Sequence, residues 1–126
     1  VNQLRDLWRM KWRRKEGSYD FGYHHEGVWA SPFETSANLA IREAAVWAAN
    51  GFMIPWGQEN YPLVVEITLY RMESGQPVKA ASLTIIRKLC EGGKYEFPDG
   101  TPIERDQKPQ GTFLETREGW TEVRKH

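Results

Sequence analysis

The residues best suited to chemistry in this chain are two histidines, a few carboxylates and one cysteine. His24, His25 and Glu26 are adjacent, so on a strand His24 and Glu26 share one face while His25 points away. That spacing could seat part of a metal site or an acid/base pair. A metal site needs three or four convergent ligands, and no Cys/His pattern elsewhere supplies them, so neither a metal nor another cofactor is expected. Glu66 is the best-placed lone carboxylate. With His24 or His25 as proton donor and Arg71 or Arg87 against phosphate charge, it would make a small metal-independent ribonuclease. A strand carboxylate can be paired with a histidine about forty residues away in almost any sequence, so this reading ranks last. A nuclease of the Glu-x-Lys type would need lysine where Thr68 stands. The lone Cys90 reads as a small half-buried strand-end residue before it reads as a nucleophile. Gly-rich phosphate loop, Gly-x-Ser-x-Gly elbow, Cys-x-x-Cys pair and internal repeat are all missing, and no catalytic residue is assigned.

Binding chemistry is better represented. Residues 1–16 carry Arg5, Arg9, Lys11, Arg13, Arg14 and Lys15 against Asp6 and Glu16, six minus two or +4. Residues 17–70 hold Arg42 against six acids, one minus six or −5, and the whole chain sums to zero. A zero total argues against a dedicated duplex-DNA binder, whose domain is usually basic. The arm interleaves tryptophan with cations: Trp8, Arg9, Lys11, Trp12, Arg13, Arg14 and Lys15 would suit single-stranded RNA or DNA, with bases on the rings and phosphates on the cations. The competing reading buries the tryptophans and leaves the cations in water, as any half-buried strand would. A second cluster follows the main helix. Phe52 to Pro62 is a loop rich in aromatics and turn residues, and Met53, Trp56 and Tyr61, joined by Trp120 near the C-terminus, are the candidates for a protein-binding patch.

The elements that must hold these groups form an α+β pattern. Ser31 as N-cap, Pro32 at the first helical position and Glu34 completing a capping box predict a helix over about 31–50, stopped by Asn50-Gly51. Ala37, Ile41, Ala44, Ala45 and Ala48 give it a small-residue stripe that can lie close against a sheet, with Phe33 joining at the first turn. Leu63, Val65, Ile67 and Leu69 alternate with Val64, Glu66, Thr68 and Tyr70, which predicts a strand whose apolar face receives that helix. Val78 to Leu89 should return antiparallel after a turn at 73–77, with Ala81, Leu83 and Ile85 inward. A short strand at Tyr95–Phe97, a turn at Pro98–Pro102, and a hairpin of Thr112–Arg117 with Trp120–Arg124, pairing Leu114 with Val123, complete the sheet. Residues 17–30 read as an irregular strand or hairpin. Residues 4–15 are ambiguous, since Leu4, Trp8 and Trp12 fit a helical stripe while 8–13 alternate. The reading taken is a short N-terminal helix over roughly 2–10 running into a strand.

The chain is thus expected to be one domain of 126 residues, a helix on a mostly antiparallel sheet with 1–16 as a basic aromatic arm. No apolar run could span a bilayer and no signal-peptide h-region follows the basic start, so a soluble, cytoplasmic protein without membrane contact is expected; a single cysteine fits a reducing compartment. An aromatic content of 13% with six tryptophans, and no catalytic constellation, ranks a non-catalytic protein-binding module first, an inhibitor or accessory protein, of phage or plasmid type if its partner is a large host assembly. Single-stranded nucleic acid is the alternative partner, and the ribonuclease is the third reading.

Overall fold

A computed structural model of the chain describes residues 4–16, 24–31, 36–51, 54–89, 93–104 and 112–115. The elements run β1 (Leu4–Arg14), β2 (His24–Ser31), α1 (Ala37–Gly51), β3 (Leu63–Glu73), β4 (Gln76–Arg87), β5 (Tyr95–Glu96) and β6 (Thr112–Glu115). They make a single α+β domain. One antiparallel sheet in the order β5-β4-β3-β1-β2-β6 carries α1 on one face.

The arm before residue 15 is a strand throughout its described length, which overturns the short N-terminal helix. A spacing of four is even, so Leu4, Trp8 and Trp12 fit a strand face as well as a helix face. Met10 decides between them. On a helix it would lie away from Trp8 and Trp12, whereas all three are fully buried, with Leu69, Ile67 and Val65 as their cross-strand partners in β3. Arg9, Lys11 and Arg13 alternate with them on the outer face.

The helix also begins later than the capping box suggests. Ser31 is the last residue of β2 and pairs with Leu4, so its backbone belongs to the sheet ladder. Ser36 caps instead: its Oγ accepts the Leu39 N–H at 3.3 Å, and its carbonyl accepts the Ala40 N–H at 2.9 Å. Pro32, Phe33 and Glu34 lie outside the described residues. Of the expected stripe Ile41, Ala44, Ala45 and Ala48 are buried and Ala37 is half-buried, and Ala40 and Val46 join it. Leu63, Val65, Ile67, Leu69 and Ile85 receive them, Ala81 and Leu83 pack at the border, and Trp47 of α1 meets Trp8 edge-on at 5.1 Å. At its end Asn50 donates from Nδ2 to the Val46 and Glu104 carbonyls, both at 3.0 Å, which closes the helix and ties it to the segment after β5.

That segment seals one end of the core. Tyr95, Phe97 and Ile103 are buried, and the turn between them is closed by Phe97 N–H to Thr101 O and Gly100 N–H to Phe97 O, each 2.9 Å. β6 pairs with β2, Val28 opposite Leu114. The expected hairpin partner, Trp120–Arg124, lies outside the described residues, and so does Cys90.

Candidate functional site

Two surfaces of the fold gather the residues singled out above. The first is the loop from Ile54 to Pro62 between α1 and β3. It consists of two successive turns: the Gln58 N–H donates to the Pro55 carbonyl at 3.1 Å, and the Tyr61 N–H to the Gln58 carbonyl at 3.3 Å. Gly57 has φ +83°, the positive value that the third residue of a type II turn requires, so Trp56 occupies the outward second position. Its side chain is 95% exposed, and that of Tyr61 is 40% exposed.

The sheet braces this loop at three points. The Arg14 Nε donates to the Gln58 Oε1 at 2.9 Å while the same guanidinium lies 3.6 Å over the Tyr61 ring. The Lys15 N–H donates to the Pro62 carbonyl at 2.9 Å, and the Arg87 Nη1 to the Glu59 carbonyl at 3.2 Å. Gln58 is buried beneath. A tryptophan is therefore held out into water on a backbone whose own polar groups are tied to β1 and β4. Of the remaining partner-binding candidates, Met53 and Trp120 lie outside the described residues.

The second surface is the face of the sheet turned away from α1. Here the nucleic-acid candidates separate. Trp8 and Trp12 are fully buried on the opposite side, Trp12 edge-on to Tyr95 at 6.1 Å, so neither presents a ring for base stacking. The reason is the alternation itself, which puts every second residue of β1 under the helix. Arg9, Lys11 and Arg13 do share the outer face, where Arg9 Nε lies 2.7 Å from Glu26 Oε1 and Arg13 Nε 3.4 Å from Glu66 Oε1. Arg14 serves the loop, and Lys15 is exposed beyond the strand.

The ribonuclease grouping is only partly assembled. Register places His24, Lys11 and Glu66 in one cross-strand row, with the backbones of His24 and Glu66 two strands, roughly 10 Å, apart. His25 pairs with Met10 and so belongs to the other face. Arg71 is also on the helix side, where its Nε donates to Asp6 Oδ1 at 2.8 Å, and Arg87 is committed to Glu59. Neither arginine stands near Glu66 on its face of the sheet. Among the described residues no group of three or more His, Cys, Asp or Glu is placed to hold a metal ion, and no helix is long and apolar enough to cross a membrane.

Alternation in β3 and β4 already marked Thr68, Ser82 and Thr84 as outward. The roles of Arg14, Gln58 and Arg87 had no local signal, because each contact joins residues far apart in the chain. Comparison with protein-family models, curated proteins and solved structures finds no match in any of the three.

Proposed function

We propose that the chain is a non-catalytic protein-binding module, an inhibitor or accessory protein, whose recognition element is the loop Ile54–Pro62 with Trp56 as anchor. The observation that carries the reading is the 95% exposure of Trp56 on a loop fastened by Arg14, Lys15 and Arg87. Tryptophan is the side chain most enriched among binding hot spots. Fully burying a large apolar group against a partner is worth about 1.5–3 kcal/mol. A braced loop loses little conformational freedom on docking, so more of that gain reaches the affinity. Tyr61 adds a half-exposed ring, while Glu59 and Asn60 supply an exposed polar rim.

Affinity capture from the source cell, with and without nuclease treatment, tests the reading. A protein retained by the wild type after nuclease treatment, and lost on Trp56→Ala, supports it. Capture that disappears with nuclease treatment points to nucleic acid and sinks it.

A further inference from the structure

The sheet is incomplete along one side of β4. That strand runs over Gln76–Arg87, but β5 pairs only with Ile86 and Arg87, so among the described residues the stretch from Gln76 to Ile85 has no strand on its outer side. Val78, Lys79, Ala80 and Ser82 are exposed there. In an antiparallel ladder each residue turns its N–H and C=O toward the same neighbour, and successive residues alternate. The Lys88 N–H donates to the Lys94 carbonyl at 3.0 Å, on the β5 side, so Ile86, Thr84 and Ser82 face that way too. From the other end, the two-residue turn at Ser74-Gly75 makes Glu73 with Gln76 and Arg71 with Val78 the hydrogen-bonded pairs, which leaves Pro77 and Lys79 facing outward. Even-numbered residues face out at one end of β4 and odd-numbered ones at the other. Ala80 accounts for the change: pairing passes from Leu69 opposite Ala81 to Tyr70 opposite Lys79, so Ala80 is an extra residue, a bulge in β4. The open edge thus offers the Pro77 carbonyl and both backbone groups of Lys79, Ser82 and Thr84.

An exposed edge invites pairing with another chain, and this one is guarded only in part. Pro77 withholds a donor and Lys79 adds a charge, both near the hairpin turn. At the other end β5 stops short of the gap. Continued in register it would set Pro98 opposite Thr84, but the Phe97 N–H donates to the Thr101 carbonyl at 2.9 Å and the chain turns away. From Ala80 to Ile86 the strand carries no charge.

We propose that this edge pairs with the same edge of a second copy of the chain, β4 antiparallel to β4, to give a two-fold dimer with one continuous sheet. Such an interface is isologous, and residues that face outward must stand opposite one another. A register centred on Ser82, or on any residue nearer β5, drives the second strand onto Ile86, where β5 already pairs. One centred on Lys79 sets like charges opposite each other, and those nearer the turn leave Ser82 and Thr84 unpaired. The register between them, centred on Ala81, sets Ser82 opposite Lys79 and Thr84 opposite Pro77, each twice by symmetry. The second strand then ends at Gln76, opposite Ile85 and just short of β5. This register also brings Val78, 41% exposed, against Leu83 of the second copy on the helix side, so apolar surface is covered as well. Pro77, Lys79 and β5 therefore leave one self-pairing open and close the others. The edge is separate from the Trp56 loop and does not depend on it.

The test is sedimentation equilibrium of the full chain from micromolar to millimolar concentration. The expected result is a reversible monomer–dimer equilibrium. A pairing confined to one edge buries little surface, so dissociation belongs in that concentration range. Ser82→Lys sets a lysine opposite Lys79 at both ends of the interface and should weaken the dimer about tenfold, whereas Ser82→Glu sets an opposite charge there and should strengthen it by about as much. Ser82 is exposed, so neither variant disturbs the core, and opposite responses at one position separate pairing between copies from any effect on folding. Trp56→Ala should leave the equilibrium unchanged. A chain that stays monomeric at millimolar concentration, whether or not a strand of another protein takes the edge, would overturn the proposal. So would a dimer abolished by Trp56→Ala, or one on which both Ser82 variants act in the same direction or not at all.

Discussion

The guanidinium of Arg14 lies 3.6 Å above the ring of Tyr61 and donates at the same time to Gln58, joining the end of β1 to the loop that carries Trp56. Nothing local in either segment announces this contact, yet it converts an aromatic loop into a fixed surface. Arg14→Ala removes a cation–π contact worth roughly 0.5–1 kcal/mol and a charge-assisted hydrogen bond of about 1.5 kcal/mol or more. The expected outcome is faster amide exchange at Gln58 and Tyr61, with a loss of global stability of up to about 2 kcal/mol. Unchanged exchange there would mean that the loop holds its shape without Arg14.

Trp8 and Lys11 stand three residues apart in β1 and should respond oppositely to truncation. Trp8 is fully buried against Trp47, so Trp8→Ala should cost about 3–5 kcal/mol in denaturant unfolding. Lys11 is exposed, and Lys11→Ala should stay within about 0.5 kcal/mol of wild type. A small effect at Trp8 would return β1 to the role of an exposed stacking arm.

These contrasts show what the sequence could and could not convey. The β3 face was legible because Leu63, Val65, Ile67 and Leu69 alternate without interruption, and the alanine stripe of α1 was legible because five positions agree on one period. The N-terminal arm was not, since a four-residue tryptophan spacing satisfies both periods and only burial of Met10 separates them. The helix start was misplaced because Ser31 and Ser36 are both competent caps, and pairing with Leu4 claims Ser31 for the sheet. Of the candidate surfaces, Trp56 and Tyr61 could be named from residue type alone. The side on which Lys79 of β4 lies could not, because the pairing shifts from Leu69 opposite Ala81 to Tyr70 opposite Lys79 and this bulge reverses the parity on which any strand reading depends.

Asp6 and Arg71 form an ion pair at the helix side of the sheet, with Nε to Oδ1 at 2.8 Å and a fully buried aspartate. Burial raises the Asp6 carboxyl above its ordinary 3.8, with the hydrogen bond and charge of Arg71 opposing the rise. Because the folded state then holds this proton more tightly than the unfolded chain, Asp6 contributes most to stability below 3.8 and loses that contribution as pH rises through its folded value. Arg71→Met removes both opposing effects and leaves a buried carboxylate uncompensated. It should cost about 3–5 kcal/mol at neutral pH, and the deficit should narrow as the medium is acidified. Urea unfolding of both proteins across the acid range checks this, and a deficit independent of pH would contradict it.

The β3–β4 hairpin turns on Ser74 and Gly75, with φ of 51° and 79°, the pair of positive values that a type I′ turn demands. A Cβ at Gly75 would meet no atom within 4 Å, so Gly75→Ala isolates the backbone strain and should destabilise by about 1 kcal/mol. Ser74→Asn places a residue that tolerates this conformation and should stabilise by a few tenths of a kcal/mol. Thermal unfolding of the two variants should move in opposite directions; a parallel shift would show that the turn is not held in this form.

The proposed role of the chain rests on Trp56, and the most direct measurement is the dissociation constant of the captured partner for wild type and for Trp56→Ala, with the melting temperatures of the two compared alongside. A hot-spot tryptophan contributes about 2 kcal/mol or more, so the variant should bind about thirtyfold or more weakly while melting unchanged. Affinity within about threefold of wild type, at equal stability, would contradict the assignment of the loop as the recognition surface.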